Sequence, residues 1–223
     1  MKIMAINGSP RKKNNTAAIL LKTLEGAASE GSTIKMVNLF EHTYSGCISC
    51  FACKRINGPS YGKCIISDDL KSILHAISIS DGLIIGAPVY FSQLPGALMN
   101  FYERFLFAQF QYDPDHLSLF EQKLETAFVY TMNIPAENME DYGYPQSFNG
   151  YQKLCDRLTG NISETLYVNN TYQFDDYGKY YMKMFKEEDK RKYRDEHFPV
   201  DLENAFKLGV RMAQKIKTWK PED

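Results

Sequence analysis

No stretch of the 223-residue chain approaches the ~20 consecutive apolar residues of a membrane span. Its opening run, Met1–Ile6, is too short for the apolar region of a signal peptide. Charge of neither sign dominates, with 26 Lys+Arg against 27 Asp+Glu and a formal net charge of −1. Such a surface argues against nucleic-acid binding, which needs basic groups to displace counterions from phosphates. It argues equally against an acidic electron carrier that steers its partner by a strong negative field. Both familiar nucleotide-binding glycine patterns, G-x-x-x-x-G-K-[ST] and G-x-G-x-x-G, are absent after the first strand. The four histidines, His42, His75, His116 and His197, are scattered, without the i, i+4 pairing of a helical metal site. There is no internal repeat, linker or low-complexity segment, so residues 1–223 are expected to form a single domain. Hydrophobic residues at 44% and charged residues at 24% suit a soluble globular protein, expected in the cytoplasm.

What is present alternates. Lys2–Asn7 reads as a short buried strand, followed by a helix with Ala17, Leu20, Leu21, Leu24, Ala27 and Ala28 at helical spacing. Thr33–Leu39 alternates as a second strand, with Ile34, Met36 and Asn38 to one side. A helix capped by Ser67, with Asp68 and Asp69 in its first turn, carries Leu70, Ile73, Leu74 and Ile77. Gly82–Ala87 is a continuous apolar run, the mark of a strand covered on both faces. A helix from about Pro95, a strand over Thr126–Thr131, a helix over Ser147–Leu158 and a strand over Glu164–Val168 follow, then an amphipathic helix around Leu202–Ile216. The charged run Lys186–Glu196 reads as a solvated helix face. Five strands alternating with helices predict an α/β fold, a doubly wound parallel sheet of flavodoxin-like order 2-1-3-4-5.

In such a sheet, ligands bind beyond the carboxyl ends of the strands at the switch in strand order. The loop after strand one, Asn7–Thr16, leads into a helix whose free amides and positive dipole end favour an anion. Ser9, Arg11, Asn15 and Thr16 are candidate phosphate donors. The bland alternative is a helix cap beside a few exposed basic residues. After strand three, Pro88 and Pro95 frame a loop in which Tyr90 and Phe91 offer flat apolar surface. There the amides near Phe91 and Ser92 are free to donate. A flat heteroaromatic ring with a polar edge suits that loop; so does a packed aromatic turn.

GSPRKKNNT after strand one, together with GAPVYFSQLPGALMNFYERF after strand three, resembles the NAD(P)H-dependent FMN reductase family over residues 1–107. The resemblance implies that Ser9, Arg11, Asn15 and Thr16 hold the FMN phosphate. It implies that Pro88, Val89, Tyr90, Phe91 and Ser92 line the isoalloxazine, with Thr131 and Met132 as a third contact. NADH or NADPH would be the hydride donor, a flavin, quinone or other small molecule the acceptor, and a homodimer or higher homo-oligomer the assembly. The flavin carries the hydride chemistry, so no acid–base side chain is assigned as catalytic.

Five cysteines complete the picture. Cys47, Cys50 and Cys53 form C-x2-C-x2-C, a spacing similar to that of the iron–sulfur flavoproteins, and Cys64 follows beyond Gly58, Pro59 and Gly62. A 4Fe–4S cluster on Cys47, Cys50, Cys53 and Cys64 is one reading, in an electron-transfer protein. Zinc in a non-enzymatic module and bare reduced thiols are the others. Cys155, between Leu154 and Leu158, is expected to be a small buried hydrophobe. His75 is expected in the core, whereas Tyr102, Phe107, Phe110 and Tyr112 fall off the core stripe of their helix and are expected to roof a pocket, meet a partner or underlie a loop.

Overall fold

A computed structural model describes residues 1–220. Five strands, β1 (Lys2–Asn7), β2 (Thr33–Asn38), β3 (Gly82–Pro88), β4 (Glu125–Thr131) and β5 (Glu164–Val168), form one parallel sheet in the order β2-β1-β3-β4-β5. This is the expected doubly wound order. Its switch point lies between β1 and β3, where Asn7 stands opposite Gly86 and Gly8 N–H donates to the Gly86 carbonyl at 2.8 Å. The described residues contain no helix long and apolar enough to cross a membrane.

Helices α1 (Asn15–Ser29) and α5 (Glu187–Trp219) cover one face of the sheet; α2 (Asp69–Ser78), α3 (Gly96–Gln109) and α4 (Gln146–Thr159) cover the other. Between α1 and α5 the backbones nearly touch. A Cβ on Gly26 would lie 2.0 Å from the Phe206 carbonyl oxygen, and one on Gly209 would lie 1.8 Å from that of Thr23. Only glycine fits either crossing. Because α1 is wedged between sheet and α5, its buried surface is wider than one stripe: Ile19, Thr23 and Gly26 are buried, while Leu21 and Ala28 face solvent.

Elsewhere the structure departs from the sequence reading in traceable ways. On edge strand β2 only Val37 is buried, and Ile34 is exposed, because one side of that strand has no neighbour. Asp68, not Ser67, caps α2, accepting from the Leu70 amide. His75 is exposed near the end of α2, not in the core. Tyr102 is fully buried and stacked on Tyr151 at 5.1 Å, since α4 closes over that side of α3. Helix α5 begins fifteen residues before Leu202, at Glu187, and so absorbs the charged run.

Candidate functional site

Helix α1 starts at Asn15 with no side-chain hydrogen bond from its N-cap Asn14 and no acidic residue in its first turn. Its leading amides therefore point, unsatisfied by a cap, toward the loop that leaves β1. That loop is held from within: Ser9 N–H donates to Asn7 Oδ1 at 3.0 Å, and Ser9 Oγ accepts from Arg11 N–H at 3.2 Å. Thr16 Oγ1 and Thr131 Oγ1 lie 2.7 Å apart, both buried, joining the start of α1 to the end of β4. Arg11 Nη1 donates to the Gln173 carbonyl at 2.5 Å, and Asn15 Nδ2 to the Tyr172 carbonyl at 2.9 Å.

Ser9, Arg11, Asn15, Thr16, Pro88, Val89, Tyr90, Thr131 and Met132 all line one pocket at the carboxyl edge of the sheet. Two of the expected residues do not line it. Phe91 and Ser92 form the tip of a two-residue turn, in which Tyr90 and Gln93 exchange backbone hydrogen bonds of 2.8 and 2.9 Å. Both tip residues are left-handed, with φ of 50° and 61°. The Phe91 side chain is fully exposed, and neither tip amide donates to a protein acceptor. The turn stands on the rim with its N–H groups available.

Sequence reasoning missed Asn14, Asn133, Thr171 and Gln173 in the same lining. Asn133, Thr171 and Gln173 come from segments after β4 and β5 that carry no motif. No carboxylate lines the pocket. From α5, Arg194 Nη1 donates to Asn15 Oδ1 at 3.0 Å. Lys190, also on α5, is buried, and its Nζ donates to the Asn133 carbonyl at 2.9 Å, to Asn133 Oδ1 at 2.5 Å and to Asn170 Oδ1. Burial lowers its pKa to about 8. The charged run thus turns two cations inward, contrary to the solvated face expected of it.

A second pocket lies at the outer end of α3, and Cys47, Cys50, Cys53 and Cys64 all line it. Ser49 and Phe51 wind the C-x2-C-x2-C loop through left-handed conformations, with φ of 53° and 55°. Gly62, with φ +71°, donates its N–H to the Cys53 carbonyl at 3.0 Å, which turns the chain back and returns Cys64 to the other three. Arg104 of α3, fully buried, holds both flanks of this loop. Its Nε donates to Cys64 Sγ at 3.3 Å, Nη1 to the Ser45 carbonyl at 3.2 Å and to Asp68 Oδ2 at 2.5 Å, and Nη2 to the Ile66 carbonyl at 3.3 Å. Glu103 Oε2 accepts from Cys47 N–H at 2.9 Å. Burial pushes the Cys53 thiol up, against the opposing charge of Lys54.

Among the described residues no group of three or more His, Cys, Asp or Glu is drawn close enough to hold a single metal ion. A tetrahedral zinc with bonds of about 2.3 Å would need its sulfurs under roughly 4 Å apart. A four-iron cubane would take one thiolate on each iron, and the four cysteines around this mostly apolar pocket are the residues that could hold it. Cys155 is remote from this pocket, buried against α4's core face, with its thiol pushed up to about 12 by burial.

A doubly wound five-stranded sheet of order 2-1-3-4-5, with an uncapped helix N-terminus and a rim of free amides at its switch point, defines the flavodoxin-like architecture. Residues 1–131 match the NADPH-dependent FMN reductase family, and the chain belongs to it. An iron–sulfur flavoprotein of Methanocaldococcus jannaschii is 36% identical over 104 residues, 47% of this chain and 51% of that protein. One from Methanosarcina thermophila is 34% identical over 104 residues, 47% of this chain and 52% of that protein. The chain's matched part spans about half the length of these curated relatives. Among solved structures, an NAD(P)H:quinone oxidoreductase from Methanothermobacter marburgensis superposes with a TM-score of 0.68 at 17% identity, covering 95% of this chain and 96% of that one. An FMN-dependent NADH-azoreductase from Bacillus anthracis, in complex with FMN, gives 0.64 at 13% identity, covering 96% and 100%. At those identities the structures speak for the fold.

Proposed function

We propose that this chain, as a single flavodoxin-like domain, binds FMN in the pocket at the carboxyl edge of its sheet. We read it as a cytoplasmic, homodimeric oxidoreductase moving electrons from NADH or NADPH to a small acceptor such as a quinone or a flavin. The observation that carries this reading is the uncapped start of α1, which meets Ser9, Arg11 and Thr16 in a pocket free of carboxylates. An anionic phosphate would satisfy those donors and the helix dipole together. Pro88, Val89 and Tyr90 would support one edge of the ring, with Thr131 and Met132 behind it. The free amides of Phe91 and Ser92 are available for its polar edge. When bound, FMN would supply the hydride and electron chemistry; this chain orients it, and no carboxylate, histidine or cysteine lines the pocket to act on the reacting atoms.

FMN binding to wild type and to a Ser9→Ala/Thr16→Ala variant, followed by flavin fluorescence, tests this. Two charge-assisted hydrogen bonds of about 1.5–3 kcal/mol each predict an affinity loss of roughly a hundredfold or more. An unchanged affinity would place the phosphate elsewhere.

The lining of the second pocket by four thiols supports a second component, an iron–sulfur cluster exchanging electrons with the flavin. Cys47, Cys50, Cys53 and Cys64 would hold it, and Arg104 would donate to the Cys64 sulfur. Protein purified without air should carry iron and sulfide near four per chain, lost on Cys→Ser change at any of the four and kept on Cys155→Ser. Absence of iron from anaerobic wild type would leave these as reduced thiols.

A further inference from the structure

Lys190 is the most unusual charge in the molecule. Its side chain is buried, yet every acceptor of its ammonium is neutral: the carbonyl and side-chain oxygens of Asn133, and the side-chain oxygen of Asn170. Among the described residues no carboxylate forms a salt bridge with it, whereas Arg104, also buried, has Asp68. A buried charge without a counter-ion is costly, and such groups gather at functional sites. The bond network also says where. Asn133 follows Met132 directly, at the end of β4, and lines the candidate FMN pocket; Asn170 precedes Thr171, which lines it too. The phosphate end, by contrast, has its own positive groups in the α1 N-terminus, Arg11 and Arg194 at Asn15. Lys190 bonds none of these; its ammonium is tied to the segments that follow β4 and β5, through Asn133 next to Met132 and Asn170 next to Thr171.

We propose that Lys190 is a positioning residue that holds the Asn133 and Asn170 loops and sets a fixed positive charge behind the ring end of the pocket, so that the site favours reduced over oxidised flavin. A hydride brings two electrons and one proton, so a neutral flavin that receives it gains a net negative charge. A cation held in a low-dielectric wall stabilises that charge without reorganising. The ammonium needs no proton transfer, and its three hydrogen bonds to Asn133 and Asn170 keep it aimed. Burial, which lowers its pKa to about 8, still leaves it mostly charged at neutral pH. This inference rests on the FMN reading of the pocket.

The experiment compares FMN-loaded wild type, Lys190→Gln, Lys190→Met and Lys190→Arg at pH 7. Two quantities are measured: the affinity for oxidised FMN by fluorescence, and the two-electron midpoint potential by anaerobic dye equilibration. The neutral variants should hold reduced flavin at least tenfold less well relative to oxidised, a drop of about 30 mV in potential, and Lys190→Arg should restore it. Lys190→Met keeps an apolar stem if Lys190→Gln folds poorly. An unchanged potential, or equal losses of affinity for both oxidation states, would make the residue merely structural and overturn the proposal. So would failure of both neutral variants to fold with or without FMN. Wild type that takes up no FMN would instead bring down the reading of the pocket itself, a result seen before any variant is made.

Discussion

Arg104 ties the cysteine loop to the body of the protein, and replacing it should cost more than any other single change on α3. Its guanidinium serves four acceptors, Cys64 Sγ, the Ser45 and Ile66 carbonyls and Asp68 Oδ2, from a fully buried position. Arg104→Met keeps the length and removes all four bonds. Breaking a buried pair by removing one partner costs about 3–5 kcal/mol. Asp68 retains 19% side-chain exposure and two amide donors, from Leu70 and Ser45, so the lower end, ~3 kcal/mol, is expected. In a chain of this size that is a fall in Tm of roughly 6–12 °C. Urea unfolding at several pH values is the assay. Burial alone would raise the Asp68 carboxyl, but the Arg104 hydrogen bond and charge, with the two amides, hold it below the usual aspartate value. A depressed carboxylate contributes stability above its unfolded pKa of about 3.9 and loses it as pH falls through the lower folded value. The gap between wild type and Arg104→Met should therefore be flat from pH 8 to 5 and shrink below pH 4. The exposed Arg55 should also be cut faster by trypsin in the variant. A gap under 1 kcal/mol at pH 7, with unchanged cleavage, would refute the clamp.

Two further outcomes are expected. The Cys155 thiol, fully buried and raised to about 12, should resist iodoacetamide at pH 8 in the folded protein and react only in denaturant; labelling at the rate of Cys50 would contradict its burial. Ser92→Gly should stabilise the protein by about 0.5–1 kcal/mol, because a left-handed residue at φ 61° suits glycine; a loss above 1 kcal/mol in thermal unfolding would show that the Ser92 side chain has a structural part.

The fold was legible because its strands are continuous apolar runs and its loops end in glycine and proline. β1 and β5 emerge with the expected bounds, and β3 and β4 within a residue. The first two loops of the pocket were legible for the same reason: Ser9, Thr16, Pro88 and Tyr90 sit in motifs at strand ends. What stayed hidden has no local signature. Asn133, Thr171 and Gln173 reach the pocket only because β4 ends beside β3 and β5 beside β4, and a lysine in a charged run gives no sign of facing inward. Lys190 was concealed by its neighbours Glu187, Glu188, Arg191 and Lys192, whose solvated character dominates the window. Tyr102 and Arg104 were misjudged or passed over on one ground, that a helix touching several elements buries more than one stripe.

The two glycine crossings between α1 and α5 have a mechanical consequence. They clamp α5 near Gly209, far from its start, while its first turns are tied to the pocket loops by side-chain hydrogen bonds: Lys190 to Asn133 and Asn170, Arg194 to Asn15, and Glu187 to the Tyr172 hydroxyl. Pro199 lies between these halves and cannot donate a backbone hydrogen bond to the turn before it. The helix is a cantilever, fixed at its root and weakest a third of the way along. If its free end lifts, the loops after β1, β4 and β5 lose their ties at the same moment, so these three distant segments should exchange their amide hydrogens as one unit while the sheet beneath them stays closed.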